Sequence, residues 1–286
     1  MISDITLGQF FPGKSVIHRL DPRTKIILSI VFIVAVFMAN TPAAFLLLTV
    51  GTVLTVVASK LSFSVIFKGI KPIIYILIFT AIINIFLTKG TGEPLVSFWI
   101  INIYVEGIVR AFFMAYRVII LIIGTSTLLT YTTSPIALTD GIESLLYPLK
   151  LLHVPVHLFA MMMTIALRFI PTLIEETEKI MNAQKSRGAD FTSGGLIKRA
   201  KALIPILIPL FVSSFKRAEE LATAMECRCY RGDKNRTKLV KLSFKGIDLI
   251  WALFAILFIG GVIALRIIPQ YFPENITITQ IMFYYI

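Results

Sequence analysis

Five stretches of this chain are almost wholly apolar, at residues 26–39, 43–58, 72–87, 111–129 and 247–265. A helix needs about 20 apolar residues to cross a hydrocarbon core, and only a helix or a closed barrel satisfies its backbone polar groups there. The last two runs approach that length. The first two are short, and suit either steep, thinly inserted spans or a helical hairpin within the membrane. Composition agrees: 57% of the residues are hydrophobic and 15% are charged, where a soluble domain has roughly 45–50% apolar and about 25% charged residues. The expected fold is an all-α integral membrane protein with about five transmembrane helices plus long cytoplasmic helices in its charged region. Residues 1–23 are mixed and turn-rich, with Pro12, Gly13 and Pro22, so no cleavable signal peptide is expected.

Charge is confined to one part of the chain. Residues 150–241 contain sixteen Lys/Arg against eight Asp/Glu, a net +8 of the chain's +12. The positive-inside rule puts that region in the cytoplasm. His18, Arg19, Arg23 and Lys25 place the N-terminus on the same side, as do Lys60, Lys68 and Lys71 for the second loop. Five spans then leave residues 267–286 outside. Arg110 and Arg117 are seven apart and share a helix face near the outer end of the fourth span, which predicts burial against protein or snorkelling to an interface. The organisation expected is a cytoplasmic N-terminal segment at 1–24, membrane-spanning helices at 25–131, cytoplasmic or interfacial helices at 132–241, and a last transmembrane helix with a tail at 242–286. Juxtamembrane Lys/Arg also attract acidic lipid. No nucleic-acid partner is expected, because no basic motif interleaved with aromatic residues occurs.

The groups that chemistry needs are mostly missing. There is no glycine-rich loop ending in G-K-[ST] to cradle phosphates. Cys227 and Cys229 flank Arg228 at a spacing unlike the usual zinc patterns and are expected as thiols. His153 and His157 are four apart, but Pro155 lies between them and no carboxylate is near in sequence, so they read as interfacial side chains. Glu175, Glu176 and Glu178, with Lys179 and Lys185, read as a solvated helix face. No catalytic residue and no metal site is expected.

Three helices are predicted in the charged region. One runs from Ser134-Pro135 to about Leu149. A second opens at Pro155 and is kinked at Pro171. A third follows Thr192-Ser193-Gly194-Gly195 and is bent or broken at Pro205 and Pro209. The two long helices end alike. Arg187 has Ala183 four residues before it and Glu178 nine before; Arg228 has Ala224 and Glu219 at the same offsets. A glycine follows shortly in each, Gly188 and Gly232, where a helix is expected to stop. An arginine at a helix C-terminus suits the macrodipole and projects its guanidinium past the last turn. One copy reads as ordinary capping. Two copies, roughly forty residues apart, argue for a paired grip on something acidic.

Three segments carry a family resemblance, in order along essentially the whole chain. His18-Arg19-Leu20-Asp21-Pro22-Arg23-Thr24-Lys25 resembles the N-terminal signature of the transmembrane T component of energy-coupling factor transporters, a class of prokaryotic ABC importers. Phe169-Ile170-Pro171-Thr172-Leu173, then Glu175-Glu176 and Ala183-Gln184-Lys185-Ser186-Arg187-Gly188, resembles that family's first coupling segment. Ala224-Met225-Glu226-Cys227-Arg228-Cys229-Tyr230-Arg231-Gly232 resembles the second.

The resemblance implies that Ser186-Arg187-Gly188 and Cys227-Arg228-Cys229 dock into grooves on two ABC-type ATPase subunits, with Ala183, Ala224, Arg231 and Pro171 in support. Ser186 and Cys229 depart from the family's usual small residues. Arg231-Gly232-Asp233 offers an alternative register for the second grip; the family pattern and the Ala spacing favour Arg228. The resemblance further implies a substrate-binding membrane S component, seated on a platform that includes Phe159, Met162, Met163, Phe169, Leu207 and Phe211 with Met161 beside them. It implies uptake of vitamins or other micronutrients, a multi-pass location in the prokaryotic cell membrane, and no cofactor on this chain, since ATP and Mg belong to the ATPases. It places substrate selectivity in a different polypeptide. Two other readings stay open. A complete ABC permease would carry its own solute pathway, for which Asn84, Arg110 and Arg117 are the candidates. A membrane-embedded enzyme would need a carboxylate cluster or a nucleophile and base at membrane depth.

Overall fold

The structure is a computed structural model that describes residues 10–88, 96–98, 101–189, 191, 195–232 and 242–271. The expected start of the chain (1–9), the turn at Thr192-Ser193-Gly194 and most of the tail (272–286) lie outside the described residues.

The first two helices begin by the same device, a polar cap followed by proline. In α1 (Pro22–Met38) the Asp21 carboxylate accepts the Arg23 N–H at 2.9 Å. In α2 (Pro42–Ser59) the Thr41 hydroxyl accepts the Ala44 N–H at 3.2 Å. Each cap satisfies an orphan donor, contributing about 1 kcal/mol, while proline at the first position gives up no helical hydrogen bond. Next come α3 (Phe63–Ile70) and α4 (Ile74–Leu87), joined by a 3-10 turn at Lys71–Ile73. A two-stranded antiparallel hairpin, β1 (Val96–Phe98) with β2 (Ile101–Ile103), precedes α5 (Val105–Thr125). A π-helical turn at Ser126–Thr130 extends α5. Then follow α6 (Pro135–Leu145), α7 (Val156–Ser186), α8 (Leu196–Cys227) and α9 (Gly246–Tyr271).

The architecture is the expected all-α membrane fold. Among the described residues five helical stretches are long and apolar enough to cross a bilayer: Pro42–Ser59, Phe63–Leu87, Val105–Thr130, Val156–Ser186 and Gly246–Ile267. The count of five is as expected, but one member differs. At 17 residues α1 is just short, whereas α7 qualifies because residues 156–173 carry only Arg168 as a charged side chain.

The chain divides into two compact units, one made of Gly8–Gly141 with Leu242–Ile286, the other containing Ile142–Lys241. The core of the first unit gathers Phe32, Ala35 and Val36 of α1, Ala44, Phe45 and Leu48 of α2, Ile120 of α5 and Val262 of α9. Lipid is as apolar as this core, so close packing and internal hydrogen bonds hold it rather than hydrophobic burial. Gly124 shows how close the packing is: a methyl group there would run into the Phe32 ring. The Phe32 and Phe258 rings stack 6.4 Å apart, and the Asp21 N–H donates to the Asp248 carboxylate at 2.8 Å. These two contacts set α1 and α9 parallel.

Two cations inside this unit are bound to its own backbone. Lys25, 1% exposed, donates from Nζ to the Thr132 carbonyl at 2.8 Å and to the Thr133 hydroxyl at 3.1 Å. Arg117 donates to the Ala39 carbonyl at 2.8 Å and lies over the Phe45 ring. It is therefore held against protein, one of the two arrangements expected for it.

Candidate functional site

The second unit is built around α7 and α8, and their C-terminal ends share one geometry. Arg187 closes α7 with φ −89° and ψ 9°; Arg228 closes α8 with φ −89° and ψ 14°. The next residue is left-handed in both, Gly188 at φ +85° and Cys229 at φ +58°. The hydrogen bonds also match. Gly188 N–H donates to Lys185 and Ala189 N–H to Gln184; Cys229 N–H donates to Glu226 and Tyr230 N–H to Met225. This paired pattern satisfies the last carbonyls of each helix. Glycine enters the left-handed region freely, but a Cβ there costs about 1–2 kcal/mol, so α8 accepts a strained residue to reach the same end. Arg231 lies three positions beyond Arg228 and outside the helix, followed by Gly232 at φ +77°.

Ser186, Arg187, Gly188, Cys227, Arg228, Cys229 and Arg231 are all exposed, as are Ala183, Ala224 and Pro171. The Ser186 hydroxyl donates back to the Asn182 carbonyl at 3.1 Å. Cys227 and Cys229 are free thiols. Both helices continue through their prolines, Pro171 in α7 and Pro205 and Pro209 in α8. Each proline removes one N–H from the ladder, which in α7 leaves the Leu167 carbonyl without its helical donor.

The two helices run antiparallel. Glu176 of α7 accepts hydrogen bonds from the Ser213 hydroxyl and from Arg217 of α8, the latter at 2.7 Å. Toward the start of α7, the Tyr230 hydroxyl donates to the Met161 sulfur at 3.2 Å. Glu176 therefore does not belong to the solvated face expected from its neighbours Lys179 and Lys185; its partners come from the other helix. From Glu176 to Arg187 is eleven residues, and from Arg217 to Arg228 is eleven residues. At 1.5 Å per residue each arm is roughly 16 Å long. Because the helices are antiparallel, the two arginines point to opposite ends of the pair, on the order of 33 Å apart.

Between those ends, apolar side chains stand open. Phe159, Met162, Met163, Leu207 and Phe211 are more than half exposed, and Phe169 is partly buried. Such a stretch is far more apolar than water-facing helices carry and calls for a cover.

The histidines differ from expectation. The Glu143 carboxylate of α6 lies 2.9 Å from His157 Nδ1, and sequence distance hid it. His153 sits in the left-handed region at φ +60° after a 3-10 turn, so the two histidines share no helix face. Among the described residues no three His, Cys, Asp or Glu gather into a metal site. Asp248 and Lys25 were missed as structural residues. The available signal was a charge within the first turn of an otherwise apolar helix, which requires a partner once buried.

Fold and site together define a multi-pass membrane protein whose two charged helices end in matched, exposed arginines. The chain matches the cobalt transport protein family, CbiQ, over residues 13–239. It is 54% identical over 266 residues to the energy-coupling factor transporter transmembrane protein of Ruminiclostridium cellulolyticum, covering 93% of this chain and 98% of the relative. The protein of the same name from Clostridium kluyveri is 53% identical, over 91% of this chain and 96% of its own length. That from Bacillus subtilis is 50% identical, over 87% and 93%. The chain belongs to this family, the transmembrane components of energy-coupling factor transporters.

Proposed function

We propose that this chain is the coupling scaffold of an energy-coupling factor importer. Ser186-Arg187-Gly188 and Cys227-Arg228-Cys229 each dock into one of two ABC-type ATPase subunits. The open apolar surface of α7 and α8 carries a substrate-binding membrane S component, and the helices pass ATP-driven motion to it for uptake of vitamins or other micronutrients. The chain performs no chemistry itself; ATP and Mg sit in the ATPases. It lies in the prokaryotic cell membrane, with the N-terminus and the α7–α8 region cytoplasmic.

The observation that carries this reading is the repetition of one exposed, arginine-tipped cap at both ends of an antiparallel helix pair. Ordinary capping explains one such end. Two identical ends of a single rigid pair suit two similar partners. A complete permease is less well supported. Arg117 donates through Nη2 to the Ala39 carbonyl and Asn84 donates to the Thr80 carbonyl at 2.9 Å, so each of these two candidates is engaged with backbone.

The test is affinity purification of the chain from native membranes, with identification of what comes with it. Two ABC-type ATPases and at least one small membrane protein are expected. Binding of radiolabelled solute by the isolated chain, with no ATPase recovered, would overturn the reading.

A further inference from the structure

The parallel pair α1 and α9 leaves an apolar groove of about 590 Å³ between its helices, within the range of small-molecule sites. Ile27 and Val31 form one wall, and Leu249, Ala252, Ile256 and Ile259 the other. From Leu249 to Ile259 the groove runs ten residues along α9, about 15 Å. That is half of a hydrocarbon core of about 30 Å, the depth of one leaflet.

At the end of the groove nearest the start of α9 the lining residues are Thr24, Phe244, Lys245 and Asp248. The Arg23 guanidinium lies 5.4 Å from the centroid of the Phe244 ring. The two carboxylates nearby face inward. Asp21 and Asp248 are 6% and 3% exposed, and both are bound to backbone N–H groups, Asp21 to that of Arg23 and Asp248 to those of Asp21 and Lys245. Of the cations, Lys245 is exposed and the Arg23 side chain is 24% exposed. Arg23 Nε makes no hydrogen bond but forms an ion pair with the Asp21 carboxylate at 3.9 Å. The exposed ammonium of Lys245, with the partly exposed Arg23 beside it, thus stands at the end of an apolar slot one leaflet deep.

We infer that this groove holds one anionic phospholipid of the surrounding bilayer, with an acyl chain along α9 and the phosphate on Arg23 and Lys245. The length of the slot matches one leaflet, and its charge at the mouth selects the acidic headgroup. A bound lipid of this kind fills the seam between the first and last helices and joins them where the Asp21–Asp248 contact ends.

The test uses the intact transporter, purified in detergent and titrated with phosphatidylglycerol or with phosphatidylcholine of the same chains, read by native mass spectrometry. One phosphatidylglycerol is expected to persist, with phosphatidylcholine weaker and inorganic phosphate unable to displace it. Arg23→Gln and Lys245→Gln each lower the affinity about fivefold, and Ala252→Trp, which fills the slot, abolishes retention. If Ala252→Trp does not fold, the two Gln variants decide the matter. Equal retention of the two lipids, unchanged retention in the Gln variants, or displacement by phosphate alone overturns the proposal. A photo-crosslinker at Ala252 that captures polypeptide in place of lipid does so as well.

Discussion

The main-chain N–H of Asp21 donates to the Asp248 carboxylate at 2.8 Å, across 227 positions of sequence. The other carboxylate oxygen accepts the Lys245 N–H at 2.7 Å. One buried side chain thus caps α9 and fastens α1 to it, and a hydrogen bond to a charged acceptor is worth about 1.5–3 kcal/mol. Asp248→Ala is expected to lower unfolding stability by about 3 kcal/mol, and Asp248→Asn by less, since the amide keeps one acceptor. Urea or thermal unfolding in micelles measures this. An Ala variant as stable as the parent contradicts the fastening role.

Lys25 places its ammonium between the Thr132 carbonyl and the Thr133 hydroxyl just after the π-helical turn of α5. Lys25→Met keeps the length of the chain but strands both oxygens, at a cost of about 1–3 kcal/mol. The same unfolding assay reports it. Adding Thr133→Val to Lys25→Met recovers part of the loss, because one stranded oxygen is then gone.

The arginine ends give the functional prediction. Truncating one partner of a buried charged contact costs roughly 2–5 kcal/mol, so Arg187→Ala or Arg228→Ala loosens the ATPases while the membrane unit stays folded. The double variant loses far more than either single one, since a bivalent grip becomes no grip. Lysine rescues in part, lacking the planar fork. Co-purification of the ATPases reads each case, with Arg231→Ala as the register control. If Arg231→Ala uncouples and Arg228→Ala does not, the second grip is at Arg231; if neither Arg187 nor Arg228 matters, the coupling proposal fails.

The two caps predict opposite responses to opposite exchanges at the equivalent position. Gly188 has open space where a Cβ would stand, with a φ of +85°, so Gly188→Ala is opposed by backbone conformation alone, about 1–2 kcal/mol. Cys229→Gly removes that penalty from α8 and firms its last turn. Hydrogen exchange at Gln184–Ala189 and Met225–Tyr230 should therefore quicken in the first variant and slow in the second. Matching responses would show that the two ends are not governed by the same backbone rule.

Local features were readable in sequence. Asp21-Pro22 and Thr41-Pro42 carry helix-start signals, since the cap and the proline act within four residues, although the turn-rich segment expected up to residue 23 overran the first of them. Gly188 announces a stop for the same reason. Cys229 does not, since nothing in a cysteine signals a positive φ. Contacts between distant segments were not readable either. Glu176 has Lys179 and Lys185 nearby in sequence, and only the antiparallel docking of α8 brings it Ser213 and Arg217. Glu143 meets His157 through the turn between α6 and α7, which periodicity does not encode. The set of spans shifted from α1 to α7 because length and hydropathy register an apolar half-helix as readily as a crossing one.

Taken as a pivot, the Glu176–Arg217 bond has an eleven-residue arm on either side. Turning one arm of roughly 16 Å by 10° about that pivot sweeps its tip through about 3 Å. Neither tip has the mechanical advantage. Under the proposed coupling, a partner at one end would feel the stroke of a partner at the other at full size, since neither arm is the longer.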